Sequence, residues 1–270
     1  MTSEQEIIAA GAITLAVSAV VCRALYGTFS PTSRFWGPVL SKSPDASRPW
    51  VSLTFDDGPT PGCTDRVLDL LAELKVPATF FVIGRNAEKS PELVRRMYDE
   101  GHLIANHTLD HTHFGIFRGW RYWRAQLSCT DEIIARLIGR RPAVFRPSMG
   151  FTTWPIHHAA RTGGHALVNW SLRARDGIRN SEKEILRRLL EPARAGDILL
   201  LHDGIDPQLR QPADRTASIS VLRPLIEGLR ARGLTPVRLD ELLGIAPYAD
   251  GPAELAGAGA PRPSTARTIG

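Results

Sequence analysis

The sequence predicts an α/β fold, a parallel (β/α) barrel that is closed or incomplete. Strand-like and helix-like segments alternate from Arg48 to Ala246, in about six or seven units. Several of the strands are short uninterrupted apolar runs, as expected where a strand is covered on both faces. Each crossover must return the chain to the same end of the sheet, which makes the strands parallel.

The first strand is Trp50–Phe55, WVSLTF, ended by the turn signal Asp56-Asp57-Gly58-Pro59. Asp65–Leu74 carries apolar residues at Val67, Leu68, Leu70, Leu71 and Leu74, a helical spacing. Ala78–Ile83, ATFFVI, is a buried strand, and Ser90-Pro91-Glu92 opens a helix with a cap residue before proline. A strand near His102–Ala105, a long helix at Tyr122–Ile138, and short strands at Val144–Phe145 and Ala166–Trp170 follow. Ser181–Leu190 reads as a helix, Asp197–Leu201 as a strand and Ile219–Ala231 as a helix. Thr235–Arg238 and Asp240–Leu243 close the unit as a strand and a short helix.

The two ends differ from this middle. Ile7 to Cys22 is an uncharged apolar run of 16 residues closed by Arg23, slightly short of the roughly 20 that span a bilayer. Ala24, Leu25, Tyr26 and Phe29 extend it if Arg23 snorkels to the headgroups. A cleaved signal peptide and a buried core helix are the competing readings. The run lacks a basic segment ahead of it, having Glu4 and Glu6 there, and Val21 is a poor residue before a lipidated cysteine. Residues 1–30 are therefore expected to be a membrane anchor, 31–47 a linker and 48–246 the folded unit. Residues 247–270, rich in Pro, Gly, Ala and Ser, are expected to be a flexible tail. Arg23 and Arg34, following the run, place the main domain on the cytoplasmic side by the positive-inside rule.

Composition is that of an ordinary soluble domain, 43% hydrophobic and 23% charged, which excludes a disordered chain, a collagen-like fibre and a polytopic membrane protein. Three cysteines exclude a disulfide scaffold. The net charge of +5 comes from scattered rather than clustered basic residues, and no basic helix or zinc-finger spacing accompanies it. Nucleic acid is therefore not an expected partner.

In such barrels the working residues follow the strand C-termini, and four strand ends here carry chemically costly groups. Asp56-Asp57 follows the first strand, His107-Thr108-Leu109-Asp110-His111 the third, Arg146-Pro147 the fourth, and His202-Asp203-Gly204 follows ILLL. Singly, each has a plain structural reading: an Asx-type turn, a histidine-rich stretch that also holds His102 and His113, a rigid corner, a packed histidine. Together they suggest more. His107 and His111, at i and i+4 of an expected helical turn, lie about 6 Å apart and could grip one ion. One carboxylate and two histidines make a three-ligand site with a position left for water, while a second carboxylate and a separate histidine supply a base and an acid.

The same residues carry a resemblance. TFDDGP at 54–59, HTLDH at 107–111, RPSMG at 146–150 and LLH at 200–202 resemble motifs of carbohydrate esterase family 4, the NodB-type polysaccharide deacetylases. The similarity runs from about Trp50 to Leu243 and implies a distorted, partly open (β/α) barrel. It implies a metal, usually zinc, on Asp57, His107 and His111, with Asp56 as general base and His202 as general acid. Arg146 would hold Asp56, Asp176 would orient His202, and the backbone N–H of Met149 would face the oxyanion. The implied substrate is an N-acylated amino sugar in a polysaccharide or glycolipid, and the implied location is extracytoplasmic, against the arginine count. A deformylase or deacetylase of a lipid-linked sugar, or a silent carbohydrate-binding module, are the alternatives. The chain departs from the family pattern at Arg173 and Gly177, where an aspartate and a tryptophan are common, and at Ser148-Met149, commonly Pro-Tyr. Trp120, Trp154 and Trp170 are candidates for a sugar platform or for packing, and Cys63 for an inert thiol near the site.

Overall fold

The computed structural model describes residues 3–176, 181–208 and 216–249. Eight parallel strands among these residues form one curled sheet: β1 (Trp50–Asp56), β2 (Thr79–Val82), β3 (Leu103–Asn106), β4 (Val144–Phe145), β5 (Ala166–Leu167), β6 (Leu172–Arg173), β7 (Ile198–His202) and β8 (Thr235–Pro236). Their order is β5-β4-β3-β2-β1-β7-β6, with β8 paired to β1. The expected barrel is thus a half-barrel, open between β5 and β6. Residues 31–47, expected as a linker, help fill that seam. Leu40 bridges Val168 beside β5, and Lys42 bridges Asp197 just before β7.

Helices cover the outside: α1 (Ser3–Phe29), α2 (Thr64–Leu74), α3 (Gly84–Lys89), α4 (Pro91–Asp99), α5 (Trp120–Ile138), α6 (Trp154–Gly163), α7 (Glu182–Leu189), α8 (Thr216–Ser220), α9 (Leu222–Ala231) and α10 (Leu239–Leu243). The periodicity that predicts α2 describes the face it buries, Val67, Leu68 and Leu71 being fully enclosed. Pro91 starts α4 as expected, although the Ser90 hydroxyl makes no capping bond. In α7 it is Ser181 that caps, accepting from the Glu184 N–H. Within the sheet, Leu53, Phe55, Phe80, Leu199 and Leu201 pack against α2 and α9 as the main core. Truncating one such side chain to alanine costs about 2–5 kcal/mol.

The register places the strand ends at one level. Asp56 sits opposite Phe81 of β2 and His202 of β7, and Asn106 sits opposite Phe145. Asp56, His202, His107 and Arg146 therefore emerge at the same rim.

The N-terminal helix α1 includes a 20-residue segment, Ala10–Phe29, of mean hydropathy 1.6 that is long and apolar enough to cross a membrane and is 11% buried. Its C-terminal end is not slack. Thr152 donates from its N–H to Thr28 O at 3.0 Å and from Oγ1 to Gly27 O at 3.0 Å. Asn169 Nδ2 reaches Pro31 O at 2.9 Å and Gly150 O at 3.0 Å, and Phe29 packs edge-on against Phe151. At the other end, residues 247–249 of the expected tail are described. Tyr248 is buried, bridges Pro142 and accepts the Ile104 N–H, because its ring completes the core beside Tyr98. Residues 250–270, most of that tail, lie outside the described residues.

Two buried histidines make the fold sensitive to acid. His102 Nδ1 accepts the Ala78 N–H at 3.1 Å, which requires a neutral ring at that nitrogen. Burial pushes its pKa down to about 4, and burial does the same to His157. An unfolded histidine titrates near 6.5, so stability is whole above about pH 6.5 and falls as pH drops from there towards 4. For His102 the full loss is on the order of 3 kcal/mol. Thermal melts between pH 7.5 and 4.5 are expected to be flat above pH 7 and to fall steadily below 6.

Candidate active site

The strand ends enclose a cavity of about 420 Å³ lined by Asp56, Asp57, His107, His111, Met149 and His202, among others. The backbone that holds these groups is unusual, and the sequence shows why. Asp57 has φ 73°, a left-handed value that Asp tolerates better than most residues. Its carbonyl is held by Asn86 Nδ2 at 2.8 Å. Gly204 passes directly over that peptide, where any Cβ would collide with the Asp57 carbonyl, so the β1 and β7 loops interlock only with glycine there. Thr64 adds a second clasp, donating to Asp203 Oδ2 at 2.7 Å.

His107 and His111 do not share a helical turn. The segment between them is irregular, with left-handed φ at Thr108 (69°) and His111 (53°). Local side chains compete with the helix here. Asn106 Oδ1 accepts the Thr108 N–H at 2.8 Å, Thr108 Oγ1 accepts the His111 N–H at 3.1 Å, and Gln126 Oε1 accepts the Leu109 N–H at 3.0 Å. The loop still delivers both rings to one place, centroids 4.9 Å apart.

Asp57, His107 and His111 each offer a ligand atom, all within 4.8 Å of one another, a group that could hold a metal ion. The donor chemistry fits. His107 Nδ1 lies 2.8 Å from the Arg146 carbonyl, an acceptor only, so Nδ1 carries a proton and Nε2 is the nitrogen that faces Asp57, at 3.6 Å. His111 Nε2 lies 3.4 Å from the same Asp57 oxygen. Burial opposes charge on Asp57, but His111, His107 and His202 outweigh it and hold the carboxyl far below its usual range. Burial likewise opposes a proton on His111, and Asp57, Asp206 and Asp56 override it, raising its pKa.

Asp56 and Arg146 form a buried pair. Arg146 is fully enclosed and donates from Nη1 to Asp56 Oδ1 at 2.6 Å and to Thr54 Oγ1 at 3.0 Å. Its other nitrogens reach Val168 O and Asn169 O, and its guanidinium lies 3.9 Å over the Phe81 ring. Asp56 Oδ2 is left towards the histidines, 3.7 Å from His107 Nε2. On the neighbouring strand β7, His202 Nδ1 lies 2.7 Å from Asp176 Oδ1. Asp176 Oδ2 also accepts the His202 N–H at 3.0 Å and the Ser218 hydroxyl at 2.8 Å. Met149 lines the cavity with a left-handed backbone (φ 58°).

All eight residues singled out in the sequence are thus at or directly behind one cavity. Of the tryptophans, Trp170 lines it; Trp154 and Trp120 instead flank His158 on the surface, Trp154 stacking at 5.0 Å and Trp120 meeting it edge-on at 5.3 Å. Cys63 is a core residue. Gly177 lies outside the described residues. Sequence reasoning missed Asp206, whose Oδ2 lies 3.0 Å from His111 Nδ1 and 2.5 Å from His113 Nε2. Its only sequence signal is its place four residues beyond His202.

Carboxylates and imidazoles converge at the strand ends of a parallel half-barrel, a set that can hold a metal ion and supply an acid and a base. The family model described as polysaccharide deacetylase matches residues 43–168. A chitooligosaccharide deacetylase of Bradyrhizobium sp. (strain ANU 289) is 38% identical over 187 residues, covering 68% of this chain and 85% of that protein. A peptidoglycan-N-acetylglucosamine deacetylase of Bacillus cereus is 32% identical over 205 residues, covering 72% and 87%. A crystal structure of the peptidoglycan N-acetylglucosamine deacetylase Bc1960, bound to an N-hydroxybenzamide, superposes with TM-score 0.72 at 30% identity, covering 78% of this chain and 95% of that one. The chain belongs to the polysaccharide deacetylase family, carbohydrate esterase family 4.

Proposed function

We propose that this protein removes the acetyl group from N-acetylated amino sugars of a glycan, with one divalent ion, zinc, held by Asp57, His107 and His111. The observation that carries the reading is the convergence of those three ligand atoms with Asp56 and His202 on one cavity. When bound, such an ion polarises an amide carbonyl and acidifies water, to a pKa of about 7 on zinc. The remaining work falls to the chain. Arg146 occupies Asp56 Oδ1, so Oδ2 is the oxygen available to take a proton from the attacking water. As the C–O bond forms, the Met149 N–H is the backbone donor assigned to the carbonyl oxygen. Asp176 fixes the His202 ring through Nδ1, leaving Nε2 to protonate the departing nitrogen as the C–N bond breaks. The products are acetate and a free amino sugar.

A second reading keeps the reaction and moves it to a lipid-linked amino sugar carrying an acetyl or formyl group. The length, apolarity and exposure of α1 favour it, and α1 is proposed to anchor the protein in a membrane. Full-length protein should sediment with membranes. Recovery in the soluble fraction, with a new N-terminus beyond α1, would instead mark a signal peptide.

The deacetylase reading is tested with zinc-loaded full-length protein and chitooligosaccharide or peptidoglycan fragments, scored for released acetate and formate. His107→Ala should leave the protein without bound zinc and without turnover. Intact, zinc-bound protein that releases neither acid from any of these substrates would overturn it. Asp206 is expected to act on the ion through His111. Asp206→Asn should weaken zinc binding by about 10–100-fold in calorimetric titration while the fold melts normally.

A further inference from the structure

The cavity holds one group, the Arg173 guanidinium, for which amide hydrolysis of a neutral sugar has no use. Arg173 and Arg175 line it alongside His202, Trp170 and Leu200. Arg173 is on β6 in register with Leu200 of β7, two residues before His202 on the same strand. Among the described residues no carboxylate pairs with the Arg173 side chain. Burial, then the charges of Arg175 and Arg188, depress its pKa, so the charges it feels are positive. Arg188 already has an anion, Glu184 at 2.7 Å.

This is a poor arrangement for a neutral substrate. Amide cleavage turns an uncharged acetamido group into an ammonium, and an unpaired guanidinium lining the same cavity opposes that new charge. A negative group on the substrate would reverse the sign of the effect, and a guanidinium fork matches a carboxylate or phosphate with two parallel hydrogen bonds. Building on the deacetylase reading, we infer that the Arg173 side of the cavity is an oxyanion subsite, and that the substrate carries a carboxylate or phosphate close to its N-acylated sugar. Trp170, Met149 and Leu200 supply the apolar surface against which the ring lies.

The test compares kcat/KM for acetate release from three matched N-acetylglucosamine oligomers: neutral, bearing a lactyl or uronic carboxylate on the adjoining position, and bearing a glycosyl phosphate. At low salt one or both anionic substrates should exceed the neutral one by about ten- to a hundredfold, an advantage that shrinks as sodium chloride is raised. The larger of the two advantages identifies the source of the anion, a glycan acid or a sugar phosphate. Arg173→Gln should bring anionic and neutral values together, and Arg173→Lys should restore part of the difference, since charge returns without the fork. A neutral substrate used as well as the anionic ones, or an anionic advantage that survives Arg173→Gln, overturns the subsite while leaving the deacetylase intact. Absence of acetate from all three by zinc-loaded protein removes the deacetylase reading and this inference with it.

Discussion

Asp56→Asn is expected to lower kcat by about a thousandfold or more while bound zinc remains near its wild-type content. The substitution keeps the shape of the side chain and removes the acceptor of the water's proton, a role typically worth 10²–10⁴ in rate. The ligand set of Asp57, His107 and His111 is untouched. A second effect comes with it. Arg146 is completely buried and Asp56 is its only anionic partner among the described residues, so the variant leaves a cation in the core. Breaking such a pair costs about 3–5 kcal/mol. Three neutral acceptors, Thr54 Oγ1, Val168 O and Asn169 O, remain on the guanidinium and hold the loss near the lower end. A melting temperature lower by about 6–12 °C, with metal retained and acetate release abolished, is the full expected result. Unchanged turnover would remove Asp56 from the base role.

The larger structural effect is expected from Arg146→Met. The thioether fits between the Phe81 and Trp170 rings, which lie 3.9 and 5.6 Å from the guanidinium carbon. The polar side of the exchange is severe. Asp56 loses its counter-charge, and Thr54, Val168 and Asn169 each lose a donor where little water can replace it. Destabilisation of about 4 kcal/mol or more is expected by denaturant titration. Activity should fall with it, because the Asp56 carboxylate loses the contact that fixes its orientation. The double variant Arg146→Met, Asp56→Asn should be far less destabilised than the sum of the single changes, since each single change strands the other partner. Simple additivity would show that the pair is not a unit.

Much of this architecture is legible in the chain because strands buried on both faces are written as continuous apolar runs. ATFFVI and ILLL leave little else for their segments to be, WVSLTF is marked by its β-branched and aromatic residues, and the polar residues that end all three mark the rim. What was not legible has physical causes. The loop between His107 and His111 has helical spacing, but Asn106 and Thr108 satisfy its backbone with their own side chains, a choice invisible to periodicity. Helix α6 opens with Trp154-Pro155 and buries only Ile156, His157, Ala159 and Ala160, too small an apolar face to stand out. Strand β6 is two residues long and exists because β7 offers it an edge. Asp206 reaches His111 from an irregular loop, and only three-dimensional closeness reveals the pair. Arg173 was visible as a departure from a pattern, but its place on the cavity wall depends on that short strand.

The hydrogen bonds from Thr152 and Asn169 to Gly27, Thr28 and Pro31 reach further than the seam they close. Asn169 grips Gly150, a lining residue of the cavity, with the same amide that grips Pro31. With α1 seated in a lipid bilayer, as proposed, the catalytic mouth has no leash on which to wander. Its height and tilt above the lipid would then be set by α1, and the length of the sugar stem rising to meet it would decide what it can reach.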